Sequence, residues 1–171
     1  MGRIVLIDGE NLLYGLRQLL GGEGLASREL FDGYDFRGLI EDLLADELPA
    51  EILWFGARLR QYDETPELLT KTSKAIYLQS KLVNVLQSQK ITFIKVGYLR
   101  AREIDPCSDC GHTEWKLLEK GVDVGLAVRM IQEAASGREI VLMSADTDLL
   151  PAIRASKRRR ESCMLVTNIN P

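Results

Sequence analysis

The sequence predicts an α/β protein, a three-layer α/β/α sandwich with a mostly parallel sheet covered by helices on both faces. Short apolar runs rich in β-branched residues alternate along the chain with stretches whose apolar residues recur at helical spacing. The runs are continuously apolar, which is typical of parallel strands buried on both faces. With 171 residues, of which 46% are hydrophobic, the chain can bury the core of one domain. We therefore predict a single domain over residues 1–171.

Each element follows from its own local signals. The predicted strands are apolar runs bounded by polar or turn residues, at 3–7, 51–58, 91–96, 139–143 and 163–166. The predicted helices keep apolar residues near a period of 3.6, at 11–20, 35–49, 66–87, 121–136 and 148–159. Asp35 is a predicted helix cap. Residues 98–120 interrupt the alternation, and we predict a small hairpin insertion there that contains a CxxC motif.

Composition narrows the classes of function. No apolar run approaches the roughly 20 residues that span a bilayer, and the first residues reach an acid too early for a signal peptide. We therefore expect a cytoplasmic protein that does not bind membranes. Residues 1–57 contain 4 basic and 11 acidic side chains, whereas 58–102 contain 9 basic and 3 acidic ones. This basic middle segment indicates a surface for a polyanion, although solvated lysines on helices would give the same count.

Several polar side chains follow predicted strand ends. Asp8 ends the first strand, and Asn11 follows it. Asp146 and Asp148 follow the fourth strand, and Asp123 begins a helix in apolar surroundings. Loops after neighbouring parallel strands open on one crevice, where these carboxylates would repel one another. A bound cation relieves that repulsion, and oxygen ligands without histidine suit Mg²⁺ or Mn²⁺. The alternative is that these residues only cap helices.

Three motifs of the chain occur together, in this order, in one known family. They are IDGEN at the start, EKGVDV before an apolar helix, and SADTDLLPAIRASK after the fourth strand. On these motifs the sequence resembles the bacterial branch of the NYN domain family, which belongs to the PIN-like nuclease group. The resemblance implies a Rossmann-like PIN fold and a ribonuclease that hydrolyses RNA phosphodiester bonds with Mg²⁺ or Mn²⁺.

The resemblance also implies roles for single residues. The implied catalytic residues are Asp8, Asn11, Asp123, Ser144, Asp146 and Asp148, and the four aspartates among them are the implied metal ligands. Ala145 stands where the family usually has glycine, a departure that concerns the geometry of the loop. Because some relatives are regulatory, a non-catalytic RNA-binding or regulatory module with the NYN fold stays open as an alternative.

Other reaction classes fit the residues less well. His112 is the only histidine, which excludes the two-histidine transesterification of RNA. Neither a P-loop nor a GxGxxG loop is present, so nucleotide-fuelled and dinucleotide chemistry is not expected. A haloacid-dehalogenase-like phosphatase needs a second acid shortly after the first-strand aspartate, and Glu10 alone keeps that alternative open.

Cys107, Cys110 and His112 are candidate zinc ligands. A CxxC pair on a turn is half of a common tetrahedral zinc site, and His112 would supply a third ligand. The fourth ligand would come from elsewhere in the chain or from a second copy in a homodimer. An ordinary turn with two free thiols is the other interpretation.

The expected RNA contacts are basic side chains that accompany the second and third strands: Arg58, Arg60, Arg100 and Arg102. We expect them at the same sheet edge as the acids, where they would hold phosphates. Tyr62 and Tyr98 lie among them and could stack on bases, although core packing would equally explain Tyr98.

Overall fold

The computed structural model describes residues 2–20, 33–44, 49, 51–106, 109–111 and 113–157, together with the backbone of 163–166. Its elements in chain order are β1 Arg3–Asp8, α1 Gly9–Leu20, α2 Phe36–Leu44, β2 Glu51–Arg58, α3 Pro66–Ser88, β3 Thr92–Glu103, β4 Trp115–Lys120, α4 Val122–Ala135, β5 Glu139–Met143, α5 Leu150–Lys157 and β6 Cys163–Val166. A 3₁₀ turn, Thr147–Leu149, precedes α5. Within the described part of the chain, no helix is both long enough and apolar enough to cross a membrane.

The six strands form one sheet in the order β4–β3–β2–β1–β5–β6. Neighbouring strands are parallel except β3 and β4, which are antiparallel. The predicted α/β fold with a mostly parallel sheet is therefore confirmed. In the central strand, Ile7 lies beside Trp54 of β2 and Met143 of β5. Asp8, the next residue, consequently lies beside Phe55 of β2 on one side and beside the start of the loop that follows β5 on the other.

An apolar cluster lies on each side of the sheet, because alternate residues of a strand point to opposite faces. Val5 and Ile7 of β1 belong to a cluster with residues of α1, α2 and α3. Ile4 and Leu6 belong to a second cluster with residues of α4 and α5. All six residues of β1 are buried, as a continuously apolar central strand requires.

The strand β3 departs most from the sequence prediction. The predicted strand ended at residue 96 and a separate hairpin began at 98, but β3 is one strand of 12 residues. Its first half pairs with β2, and its second half pairs with β4, from Tyr98 opposite Lys120 to Glu103 opposite Trp115. Gly97 lies between the halves with a φ of 60°, and a Cβ there would be 2.2 Å from the Lys120 carbonyl oxygen. The strand therefore requires glycine where its pairing passes from β2 to β4.

Two helices also begin at different residues from those predicted. The helix α1 begins at Gly9, directly after β1, rather than at 11. A Cβ on Gly9 would lie 2.1 Å from Nε1 of Trp54, so glycine allows the helix to start this close to the sheet. The helix α5 begins at Leu150 rather than at 148, because the 3₁₀ turn occupies the preceding residues.

The second helix has the cap that the sequence predicts. The carboxylate of Asp35 accepts a hydrogen bond of 2.8 Å from the amide of Gly38. The predicted ends of this helix at 45–48 and of the last helix at 158–159 lie outside the described residues.

Candidate active site

Asp8 is the buried carboxylate of the candidate site, at the end of the central strand and 6% exposed. Its Oδ1 accepts a hydrogen bond of 3.2 Å from the Asn11 amide, and its Oδ2 accepts one of 3.3 Å from the Asn11 side chain. The Ser144 hydroxyl donates a third bond of 3.0 Å to Oδ2. Burial raises the pKa of Asp8 despite these three bonds, and the nearby charge of Asp146 raises that pKa further.

Asn11 and Ser144 join the ends of β1 and β5 in one hydrogen-bond network. The side-chain oxygen of Asn11 accepts a bond of 3.3 Å from the Ala145 amide. The Ser144 hydroxyl oxygen accepts one of 3.1 Å from the Asp146 amide while it donates to Asp8. The structure thus brings both predicted polar residues to Asp8, where they fix the orientation of its carboxylate.

Asp146 caps the 3₁₀ turn that follows β5. Its Oδ1 accepts a hydrogen bond of 2.8 Å from the Asp148 amide. Helix capping, the alternative explanation for these acids, therefore holds for Asp146. Capping and metal binding are compatible, because an ionised carboxylate has a second oxygen and about four acceptor positions.

Asp123 lies in the first turn of α4 with its side chain exposed. Partial desolvation raises the pKa of Asp123, and the negative charges of Asp8, Asp146 and Asp148 raise it further. These interactions show that the acids that follow β1 and β5 lie within electrostatic range of the start of α4. The four predicted aspartates therefore share one edge of the sheet.

The acids do not form a ready-made cage. In residues 2–20, 33–44, 49, 51–106, 109–111 and 113–157, no three His, Cys, Asp or Glu side chains lie close enough together to hold a metal ion. The donor set itself is all oxygen, which suits a hard cation. Mg²⁺ is commonly bound by one or two carboxylates and keeps several waters, so these residues fit it without a cage.

Of the predicted RNA contacts near the end of β2, Arg58 and Arg60 are exposed to solvent, whereas Tyr62 is buried. Arg58 is exposed, and its Nε donates a bond of 3.2 Å to the Lys95 carbonyl oxygen. The guanidinium of Arg60 lies 4.3 Å from the centroid of the Tyr62 ring. Tyr62 is 5% exposed, and its hydroxyl donates a bond of 2.8 Å to the Leu99 carbonyl. The prediction that Tyr62 stacks on bases is therefore wrong, because tertiary packing buries its ring.

The β3–β4 hairpin presents a positively charged surface that the sequence reasoning found only in part. Residues opposite one another in an antiparallel pair share a face, and Arg100 pairs with Leu118 while Arg102 pairs with Lys116. We define the basic face as Tyr98, Arg100, Arg102, Lys116 and Lys120, all of them exposed. Tyr98 is 55% exposed, so core packing does not explain it.

The four cations of the basic face are available to a ligand. None of them has an ion pair with another residue in the part of the chain that the structure describes. The sequence analysis missed Lys116 and Lys120. Cations alternate with apolar residues in YLRAR, and the two lysines of KLLEK are four residues apart, which places them on one face of a strand; this spacing is the signal that could have found them.

The CxxC motif yields no metal centre in the described residues. Cys107 and His112 lie outside those residues, and Cys110 is an exposed free thiol. Zinc binding by Cys107, Cys110 and His112 stays a prediction.

Comparison with known proteins agrees with the fold and with the three motifs. The architecture is that of a nuclease-like α/β domain of the PIN-like type. The model of the NYN domain family matches residues 3–168, and the chain belongs to that family.

Structural comparison adds support for the fold alone. A crystal structure of a protein of unknown function from Vibrio parahaemolyticus aligns with 96% of this chain and 80% of its own, at a TM-score of 0.53 and 17% identity. None of the curated proteins compared with this chain matches it significantly.

Proposed function

We propose that this protein is a ribonuclease that hydrolyses RNA phosphodiester bonds with the help of Mg²⁺ or Mn²⁺. The observation that carries the proposal is the gathering of Asp8, Asp146 and Asp148 at the ends of β1 and β5, with Asp123 at the start of α4, in a chain of the NYN family. Carboxylates that crowd together in a partly desolvated crevice are typical of sites that bind a cation. The proposal treats residues 1–171 as a single three-layer domain.

The residues divide into ligands and positioning groups. Asp8 and Asp146 would hold the cation, with Asp123 and Asp148 contributing oxygen or water-mediated contacts. When bound, a divalent cation supplies a water of lowered pKa and charge neutralisation at the scissile phosphate. Asn11 and Ser144 orient the Asp8 carboxylate through the bonds of 3.3 Å and 3.0 Å to its Oδ2.

The RNA backbone would lie along the basic face. Phosphates attract clustered Lys and Arg without regard to sequence, and an exposed aromatic ring offers a stacking platform for a base. Tyr98, Arg100 and Lys116 supply both kinds of contact on one exposed surface. Lys120 precedes α4, whose first turn holds Asp123, so the chain leads directly from this surface to the acids.

A non-catalytic RNA-binding module is the second candidate function. The observation that favours it is the lack of three metal-ligating side chains in mutual contact within the described ranges. Such a module would bind RNA through the basic face and leave it intact. It shares every RNA contact with the nuclease, so only turnover separates the two.

The experiment is cleavage of a 5′-labelled single-stranded RNA by the purified protein in Mn²⁺, in Mg²⁺ and in excess chelator. We expect cleavage in metal, none in chelator, and a loss of at least about 100-fold in Asp8→Asn, since a group of ligands acts as a unit. Asp63→Asn, an exposed acid outside the candidate site, is the matched control and keeps wild-type activity. Intact RNA in every metal, with RNA binding retained, would establish the binding module instead.

A further inference from the structure

A cavity opens beside the candidate active site, between α1, α3 and the strands β2 and β3. It is partly open to solvent, and Gly9 and Glu10 line it. These two residues directly follow Asp8, so the cavity and the acids lie at the same edge of the sheet. Crevices at the carboxyl ends of parallel strands are where ligands bind in open α/β folds.

The walls of the cavity suit a flat aromatic ligand. Trp54 and Phe93 line it from neighbouring strands, and Leu82 and Val85 line it from α3. Phe93 lies over Gly56, where a Cβ would come within 2.6 Å of its ring, so the glycine makes room for the ring. A nucleobase buries its faces against apolar and aromatic side chains of this kind.

The polar groups of the cavity identify which base fits. Glu10 and Glu119 supply carboxylate oxygens, which accept hydrogen bonds, and Lys81 supplies an ammonium donor, whose Nζ also lies 5.3 Å from the centroid of the Tyr77 ring. Gln79 donates its amide to the Ala57 carbonyl at 3.0 Å, which leaves its side-chain oxygen as an acceptor. A carboxylate has about four acceptor positions, so it can accept from a ligand while it keeps a protein contact.

Guanine has the matching edge. Its N1–H and N2–H₂ point the same way and can both donate to one carboxylate, while O6 beside them accepts from a cation. Adenine and cytosine offer a single exocyclic amino donor on that edge, and uracil offers a single N–H. Two parallel bonds to a charged acceptor are the strongest pattern that this lining can make.

We infer that this cavity is a guanine-binding subsite, in which Glu10 or Glu119 accepts from N1–H and N2–H₂ and Lys81 donates to O6. The attribution of the guanine to an RNA substrate rests on the proposed ribonuclease function, whereas binding of the base itself does not. If both hold, the enzyme acts on RNA beside a guanosine held in the cavity.

Nucleotide binding tests the subsite without any turnover. The full chain is titrated by calorimetry with GMP, IMP, AMP, CMP and UMP in chelator, at constant ionic strength. We expect GMP to bind at least about tenfold more tightly than AMP, CMP and UMP, and IMP, which lacks the N2 amine, to fall between them. Equal affinities for all five nucleotides would overturn the inference, because they would report phosphate binding alone.

Variants locate the binding. Leu82→Trp fills the cavity and should abolish the preference for GMP, whereas Leu69→Trp, on α3 but outside the cavity lining, should keep it. Glu10→Gln and Glu119→Gln are measured singly and together, with exposed Glu64→Gln as the control. Retention of the GMP preference in the double variant would overturn the assignment.

The result separates this inference from the proposed function. GMP-selective binding by a protein that cuts no RNA would leave the subsite standing and reject the ribonuclease. Metal-dependent cleavage of RNA by a protein that binds all five nucleotides equally would reject the guanine subsite and support the ribonuclease.

Discussion

Asp8 illustrates how one residue links burial to chemistry. Its carboxylate ends a strand in which every residue is buried, and three donors surround it. Even so, burial raises the pKa of Asp8, so ionisation of this group opposes folding in the absence of a cation. Burial of this carboxylate therefore lowers the stability of the fold at neutral pH.

This loss of stability has a defined dependence on pH. A carboxyl whose pKa is higher in the folded than in the unfolded protein binds more protons in the folded state. Its contribution to the free energy of unfolding therefore falls as the pH rises from 3.8 through the pKa of the folded protein. We expect the free energy of unfolding of the wild type, minus that of Asp8→Asn, to decrease with rising pH in chelator. Urea unfolding between pH 4 and 8 measures it. A difference that grows with pH for Asp8→Asn would contradict the prediction.

Ser144 offers a second test at the residue scale. Its hydroxyl donates a hydrogen bond to the Asp8 carboxylate and accepts one from the Asp146 amide. Ser144→Ala removes both hydrogen bonds, and the Asp8 carboxylate that loses a donor is buried. We expect a loss of about 1–3 kcal/mol in the free energy of unfolding. Ser88→Ala, at the exposed end of α3, should cost less than about 0.5 kcal/mol. Equal losses in the two urea-unfolding curves would show that the Ser144 network contributes no stability.

At the scale of elements, β3 pairs first with β2 and then with β4, and Gly97 lies at the change. Gly97→Ala would combine an unfavourable positive φ with a collision against the Lys120 carbonyl, whereas Gly111→Ala meets nothing within 4 Å at a similar φ of 68°. We expect Gly111→Ala to lower the free energy of unfolding by about 1 kcal/mol, and Gly97→Ala to lower it by at least about 2 kcal/mol more. Thermal unfolding of both variants checks the order, which the reverse ranking would contradict.

The basic face predicts how RNA binding responds to salt. Removing a phosphate contact should weaken binding to all sequences and reduce the slope of log K against log salt by about 0.7 for a single-stranded RNA. We expect this for Arg100→Ala and Lys116→Ala, measured by fluorescence anisotropy in chelator over a sodium chloride series. Lys74→Ala, an exposed cation of α3, is the matched control and should leave the slope unchanged. An unchanged slope in Arg100→Ala would remove the hairpin from the RNA path.

At the scale of the whole molecule, metal binding should stabilise the fold. A ligand that binds only the native state adds about 2.7 kcal/mol at 100 times its Kd. Millimolar Mn²⁺ should therefore raise the Tm of the wild type, with potassium chloride of equal ionic strength as the control. Asp146→Asn should show a much smaller rise, since asparagine keeps the cap on the 3₁₀ turn but loses the charge. Equal shifts in both proteins would exclude Asp146 as a ligand.

Much of this molecule could be predicted from local patterns, and the remainder depends on contacts between distant residues. The continuous apolar run before Asp8 is enough to predict a central strand with an acid at its end. The backbone amide of Tyr62 donates a hydrogen bond to the Thr72 side chain, and the Tyr62 hydroxyl donates one to the Leu99 carbonyl. These partners, 10 and 37 residues away, hold the ring in the interior. No local pattern contains those contacts. The pairing of β3 with β4, which defines the basic face, is non-local in the same way.

The order of the strands also has a consequence for synthesis on the ribosome. The strands β1 to β4 lie side by side in chain order, and β5 joins the opposite edge of β1 only later. A growing chain that has emerged as far as α4 therefore holds Asp8 and Asp123 but neither Ser144 nor Asp146. Because a chain is synthesised from its N-terminus, the four acids can gather only after Asp148 has left the ribosome. The residues that surround Asp8, among them Ser144, which is 136 residues away in the chain, therefore come together only after β1 and β5 have both been synthesised.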